Sequence, residues 1–542
     1  MDVVTQKSAC FAPNHPAKTI AELATKVPEA YHGIVALQDE YRQIRYEQLS
    51  VTIAPIAKAL IANGINKGDR VAIWAPNTID WVLCALAVHS CGAILVPINT
   101  RMKGKEAAQV LHDSDCRLLF TVGEFLKVDY PAQLDDQPIS TRLSIVLMAN
   151  EQSASTRDVV RWNEWLDAAD NVTDAKWQAQ MANVSSEDAA DILFTSGTTG
   201  KPKGAVCGHG ATLTAFRAYC ANMDFLPGER YLIINPFFHA FGYKAGWVSA
   251  LLAGCTILPE KVFDSGRILS RIADDNINIL PGPPTLYTSL LHDKAFATTD
   301  LSSLRTAVTG SSSVSPHLVE QMRNDLGIER VVTAYGLTEC GGLATMCSPN
   351  DSAETIANSS GKAIAGTELV IFSEAGEPLT HGQIGEICLR GYHVMQGYWR
   401  NEQATQDTIC ADGWLHTGDL GMLDEQGNLH ITGRLKDMFI CGGFNCYPAE
   451  IEAIAQTHPD VREVAVIGVP DERMGEVGCV FVVGKDGKTI SEVDFIQWCR
   501  ANMANYKAPR YCRQISEMPV NASNKVLKAD LETLFSEERK SA

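Results

Sequence analysis

The sequence predicts an α/β protein. Doubly wound layers run through about residue 370, a small antiparallel barrel or sheet spans 366–432, and a separate α+β unit follows. Three observations carry this. Strand-like apolar runs alternate with helical periodicity over the first two thirds of the chain, the pattern of parallel βαβ units. From residue 366 the texture changes to short β-type runs between glycine-rich turns. After Gly433-Arg434-Leu435-Lys436-Asp437 a compact stretch begins with its own helices and strands.

Taken in order, residues 18–62 carry helical periodicity that ends near Asn63-Gly64, a helix C-terminal signal. Arg70-Val71-Ala72-Ile73-Trp74 reads as a strand. Asn77 is placed to cap a helix from 79 to about 88, and 93–96 reads as the next strand. Strand, helix, strand at this spacing implies parallel pairing. The alternation recurs at 104–121, 231–258, 267–281 and 317–334. Leu369-Val370-Ile371-Phe372 and Gly385-Glu386-Ile387-Cys388-Leu389-Arg390 supply strands of the β-rich stretch. Beyond it come helices near 448–456 and 491–502 and strands near 461–469 and 479–483.

A net charge of −18 argues against a nucleic-acid partner or an anionic membrane surface. Anionic ligands then require locally basic sites. The 16 cysteines include no Cys-x-x-Cys pair, which fits neither a zinc site nor a redox motif. No basic segment followed by an apolar core opens the chain, so no signal peptide is expected. The most apolar stretch, 81–98, is broken by His89, Ser90, Gly92 and Pro97 and reads as a buried helix and strand. These features imply a cytoplasmic protein with mostly buried, reduced thiols.

One stretch organises the chemistry: Thr195-Ser196-Gly197-Thr198-Thr199-Gly200-Lys201-Pro202-Lys203-Gly204. The apolar run Asp191-Ile192-Leu193-Phe194 delivers it as a strand delivers a tight loop. Its glycines permit close backbone approach, and its hydroxyls and N–H groups can donate to phosphate oxygens. It is not a Walker A loop, because Gly197 and Gly200 are too close and Pro202 follows Lys201. A solvated linker is the alternative.

The other motifs carry alternatives of their own. In Ala334-Tyr335-Gly336-Leu337-Thr338-Glu339, Tyr335 offers a flat face to a base and Glu339 an oxygen ligand to Mg²⁺; a surface turn would look the same. Asp419, in Thr417-Gly418-Asp419, can accept both hydroxyls of a ribose or simply form an Asx-turn. Arg434 can join that sugar or a surface salt bridge. His239 stands in an aromatic cluster where a packed core histidine is the ordinary outcome, and Lys525 on a turn-rich tail is ordinarily solvated.

Taken together, and in this order, the motifs resemble the adenylate-forming superfamily, specifically its acyl-CoA synthetases. The resemblance runs from about residue 18 to 530. It implies a large N-terminal domain, residues 1–433, of two doubly wound α/β subdomains plus a small β-barrel. A hinge at 434–437 and a mobile α+β C-terminal domain at 438–542 complete the implied architecture. ATP, Mg²⁺ and coenzyme A are the implied cofactors and co-substrates.

The 195–204 loop would hold the pyrophosphate end of ATP, with Tyr335 on one face of adenine and Gly310-Ser311-Ser312 forming the other wall. Thr338 and Glu339 would serve phosphate and Mg²⁺, and Asp419 and Arg434 the ribose. Lys436 would be the hinge and Lys525 the adenylation lysine, with Lys528 as runner-up. Asn524 stands where the family usually has glycine, and Asn tolerates the left-handed conformation better than most residues. Gly442 and Gly443 would line a pantetheine tunnel once the C-terminal domain had turned.

The acid pocket is expected beyond His239, near Tyr243, Lys244, Trp247, Pro283, Tyr287, Gly336 and Gly341. The wording around 235–246, 280–284 and 437–445 resembles the steroid-degradation ring-propanoate ligases more than the fatty-acid or hydroxycinnamate branches. Lys244 would meet a polar distal group of the acid if it points inward, or form an ion pair elsewhere. Rival readings are a fatty-acid or aryl-acid ligase, an adenylation domain loading a separate carrier protein, and a non-catalytic nucleotide sensor. The expected partners are small molecules, with a homodimer left open. No carrier domain is expected after Lys525.

Overall fold

The computed structural model describes residues 15–140, 142–149, 151–195, 202–310, 314–441, 444–471, 473–485, 488–521 and 525–541. Contacts gather the chain into two units. One is Met1–Leu369 with Leu389–Leu415, and the other is Val370–Cys388 with His416–Ala542.

The first unit is built on two sheets. One has eight strands in the order Gly397–Tyr398, Lys203–Gly208, Ala189–Thr195, Ile94–Pro97, Arg70–Trp74, Cys116–Thr121, Ser144–Leu147, Val159–Arg161. From Ala189–Thr195 onward the neighbours are parallel. The two pairings at the Gly397 end are antiparallel. Strand Arg70–Trp74, helix Ile79–Ser90 and strand Ile94–Pro97 form the expected βαβ unit. Both strands are buried almost throughout, as strands covered on both faces must be.

The second sheet starts with Gln43–Arg45, Val35–Gln38, Thr256–Pro259 and Arg230–Ile233. Single bridges through Ile279 carry it on to Thr306–Thr309, Arg330–Tyr335, Thr345–Met346 and Lys362–Ala363. Two local expectations fail here. Residues 18–62 are not helical throughout: the long helix is Leu49–Ala62, and Val35–Gln38 is a strand whose parallel partner is Thr256–Pro259. Asn77 does not cap the following helix; Thr78 does, accepting from the Trp81 N–H. Asn77 instead donates to the carbonyls of Ile233 and Asn235 and accepts from the Phe237 N–H, so it braces a distant loop.

The β-rich stretch forms a sheet in the order Thr367–Phe372, Gly385–Gly391, Leu415–Leu423, Leu429–Arg434. Among the described residues this path has two ends, so it is an open sheet rather than a barrel. Its last pair is antiparallel. Leu435–Asp437 is a single helical turn that leads into Phe439–Cys441. Helix Pro448–Ala455 packs on strand Leu429–Arg434, which is why residues from 416 group with the C-terminal part.

The C-terminal sheet centres on the long hairpin Val461–Asp471 and Gly475–Gly484, with Tyr511–Gln514 added in parallel. Helices Pro448–Ala455, Glu492–Asn502 and Lys528–Ser541 accompany it. This part has its own core, including Ile451, Val480, Phe481, Phe495 and Leu531. Among the described residues, no helix is long and apolar enough to cross a membrane.

Candidate active site

Strand Ala189–Thr195 runs through the large sheet and ends where the hydroxyl-rich loop begins. Ser196, Gly197, Thr198, Thr199, Gly200 and Lys201 lie outside the described residues. The two stems of the loop are antiparallel, with Thr195 opposite Lys203 and the Thr195 hydroxyl donating to the Lys203 carbonyl at 3.3 Å. A charged or polar ligand at this end would meet Lys203, whose ammonium lies 5.1 Å from the centre of the Tyr398 ring.

Tyr398 was not singled out by the sequence reading. It lies on the strand that pairs with Lys203–Gly208, and its hydroxyl donates to Glu339 Oε1 at 2.8 Å. Burial, and next the Glu339 carboxylate, push its phenol well up, so it remains a donor. The Gly397-Tyr398-Trp399 run was the available signal. Glu339 sits on a short turn, Thr338–Cys340, just after strand Arg330–Tyr335. That turn must be tight: a Cβ on Gly336 would lie 2.5 Å from the Gly342 carbonyl carbon. A part-buried carboxylate already oriented by one hydroxyl suits a hard cation such as Mg²⁺, for which Glu339 would be the protein ligand.

Tyr335 is 9% exposed and ends its strand beside Gly310, where a Cβ would come 3.6 Å from the Ala334 carbonyl oxygen. The fold therefore brings together Gly310, Ala334 and Tyr335, three of the expected base-binding residues; Ser311 and Ser312 are outside the described residues.

In the second unit, Asp419 and Arg434 face each other across an antiparallel ladder, with Arg434 Nε 3.1 Å from Asp419 Oδ1. The turn before Asp419 is fastened at three points. Thr417 donates to the Ile387 carbonyl at 2.7 Å, the Asp419 N–H donates to Thr417 Oγ1, and the Gly418 N–H donates to Glu386 Oε1 at 3.0 Å. Glu386 also pairs with His416 at 2.8 Å.

Lys525 is exposed on a turn closed by its N–H to Asn521 Oδ1, at 3.0 Å, and by the Asn521 N–H to its carbonyl. Lys528, by contrast, is held by Glu452 at 3.0 Å and Asp437 at 3.7 Å. Lys436 is exposed on the turn Leu435–Asp437. Gly442, Gly443 and Asn524 lie outside the described residues.

The acid side is different in kind. His239 is exposed, its Nδ1 accepting from the Phe241 N–H at 3.2 Å. Then residues Phe241–Val248 wind as a π-helix, a rare form associated with functional sites. Gly242 is required there, because a Cβ would collide with the carbonyl oxygens of Asn235 and Pro236. Trp81 packs against Phe237, Tyr243 and Trp247, and Tyr243 stacks on Trp247 at 5.0 Å.

Of the residues expected to line the acid pocket, His239, Pro283 and Gly336 are exposed. Tyr243, Trp247 and Tyr287 are fully enclosed, and Gly341 is buried. Lys244 does not point toward an open pocket. Its ammonium is fully buried, 3.1 Å from Asp191 Oδ1, so the structure realises the ion-pair alternative. Burial opposes the ammonium, but Asp191 and the Cys207 thiol hold it above the ordinary lysine value.

Against known families, residues 24–399 match the AMP-binding enzyme family, and 450–525 match the AMP-binding enzyme C-terminal domain. The chain belongs to the AMP-binding enzyme family. A relative from Mycobacterium tuberculosis (strain ATCC 25618 / H37Rv) is 45% identical over 499 residues, covering 92% of this chain and 95% of the relative. It is named 3-[(3aS,4S,7aS)-7a-methyl-1,5-dioxo-octahydro-1H-inden-4-yl]propanoyl:CoA ligase. A Rhodococcus jostii (strain RHA1) protein of the same name is 42% identical over 497 residues, covering 91% of this chain and 94% of its own. The crystal structure of ATP-bound MatB from Rhodopseudomonas palustris superposes with a TM-score of 0.83 at 27% identity, covering 96% of this chain and 99% of that one.

This AMP-binding enzyme is therefore an AMP-forming acid–thiol ligase. It joins a carboxylic acid to coenzyme A through an acyl-adenylate, using ATP and Mg²⁺.

Proposed function

We propose that the acid is a propanoate side chain carried on a partly degraded steroid ring system. The observation that carries this is the 45% and 42% identity, over more than nine tenths of each chain, to two ligases named for such a ring propanoate.

In this reading the acid enters beside His239, Tyr335 would take the base of ATP and the loop after Thr195 its phosphates, and Asp419 and Arg434 would serve the ribose. Two anions must then approach each other. Lys525 would be the adenylation lysine, a cation that neutralises charge growing as the phosphoanhydride breaks. Glu339 would hold Mg²⁺, which would supply positive charge to the leaving pyrophosphate. The carboxylate oxygen bonds to phosphorus, pyrophosphate leaves, and acyl-AMP remains. Residues 438–542 then turn about Lys436, which withdraws Lys525 and brings Gly442 and Gly443 to the path of the pantetheine arm. The CoA thiolate attacks the acyl carbonyl and AMP leaves. A reducing cytoplasm fits the cysteines: all those described are unbridged, and Cys410 alone among them is exposed.

The test is thioester formation across ring-propanoate, fatty and aryl acids. A ring propanoate should exceed plain alkanoates by at least about tenfold in kcat/KM. Equal or reversed preference would discard the substrate assignment and leave the reaction class intact.

A further inference from the structure

Asp191 interrupts the apolar strand Ala189–Thr195, four residues before the phosphate loop begins. Lys244 lies within the buried π-helix, five residues after His239. Both side chains have no exposed surface, and they meet at 3.1 Å. The contact has ion-pair distance, and the neighbours that bear on the two charges are Tyr243 beside Asp191 and the Cys207 thiol beside Lys244.

Stability alone gives no reason for this pair. Taking two charges out of water costs several kcal/mol per ion by general estimates, and apolar residues of similar volume are commonly as stable or more so. An apolar residue at 191 would continue the run of Ala190, Ile192, Leu193 and Phe194 without interruption.

Local irregularities in two separate elements accompany the contact. The ladder between Ala189–Thr195 and Lys203–Gly208 shifts register between Ala189 and Asp191, a bulge of the kind that re-aims a side chain. The segment bearing Lys244 is wound as π rather than α. The π-helix is tied back to His239, whose carbonyl accepts from the Tyr243 N–H at 2.9 Å, and forward to the next helix, where Ser249 Oγ donates to the Lys244 carbonyl at 2.8 Å.

We propose that Asp191 and Lys244 are positioning residues that fix the acid-binding segment against the strand delivering the phosphate loop. The carboxylate of the acid and the α-phosphate of ATP are thereby presented at reacting distance. The pair touches neither reactant. It sets the relative placement of two sites, and placement of that kind governs the rate of joining more than the affinity for either partner. This rests on the assignment of the 195–201 loop to phosphate and of the His239 side to the acid.

The test separates the two half-reactions in Asp191→Asn/Lys244→Met, which removes both charges at nearly constant volume. Acyl-AMP formation in a single turnover should slow ten- to a hundredfold. Separately measured affinities for ATP and for the acid should stay within about twofold. Thioester formation from pre-made acyl-AMP should also stay within about twofold, since there the carboxyl and phosphate are already joined. Lys244→Arg, which keeps the charge, should recover part of the first rate and serves as the reporter should the double variant not fold. An equal fall in both half-reactions would reduce the pair to a merely structural role, and unchanged adenylation would remove the proposal outright. A wild-type enzyme that formed no acyl-AMP with any acid would instead overturn the site assignment beneath it.

Discussion

Asp191 and Lys244 meet at 3.1 Å in the first unit, and Asp419 and Arg434 meet at the same distance in the second. The first pair has no exposed side-chain surface, whereas Arg434 is 47% exposed and Asp419 10%. Equal distances therefore describe different physics. In the interior each charge depends on the other, because no water remains to replace it. In the second pair solvent reaches Arg434 and screens the attraction, so the pair adds less to stability although Asp419 itself is buried. The first pair is thus locked by burial, whereas the second keeps its arginine in contact with solvent.

The strongest challenge to this contrast is Lys244→Met. It strands a carboxylate in the core, so unfolding free energy should drop by about 3–5 kcal/mol, read from urea denaturation. A loss below about 1 kcal/mol would mean that water reaches Asp191.

Lys525→Ala tests the opposite extreme, an exposed cation. Acyl-AMP formation should fall about 10²–10³-fold, roughly 3–4 kcal/mol in barrier, with the thermal midpoint unmoved and pre-made acyl-AMP still accepted. Retained adenylation would transfer the role to another cation.

Acidification sharpens the contrast further. Burial lowers His15, His209 and His393 to about 4. An unfolded chain binds protons on these rings near pH 6.5, while the folded one does not until near pH 4. Stability from this source is complete above pH 6.5 and is lost as pH falls toward 4, by up to roughly 3 kcal/mol per ring. All three rings lie in the first unit. His209→Gln should flatten the decline in unfolding free energy across that window, and an unaltered slope would remove His209 from the account.

The smallest effect belongs to the second pair. Asp419→Ala should raise the KM for ATP roughly tenfold, about 1.4 kcal/mol, while stability changes by no more than about 1 kcal/mol. A stability loss as large as that of Lys244→Met would erase the distinction between the pairs.

The same contrast explains what could be read from the sequence. Thr417-Gly418-Asp419 and Tyr335-Gly336-Leu337-Thr338-Glu339 are contiguous segments set by local turns, so their pattern survives in one dimension. The parallel units at Arg70–Trp74 and Ile94–Pro97 are local too. The failures are long-range. Val35–Gln38 becomes a strand because Thr256–Pro259, more than two hundred residues away, offers an edge. Asn77 serves the loop before Phe237 rather than its own helix. Asp191 reads as part of an apolar lead-in until Lys244 is placed beside it. Tyr398 reaches Glu339 across 59 positions of chain.

The π-wound stretch Phe241–Val248 bears on attempts to redirect the enzyme toward other acids. Rewinding it to an ordinary α-helix with every residue kept would turn each later side chain by about 100°, one residue's advance. Point exchanges within it therefore inherit a rotational phase that they did not choose. Grafting the whole stretch together with position 191, as one cassette, respects that phase, and it is the smallest unit in which acid preference should travel between relatives.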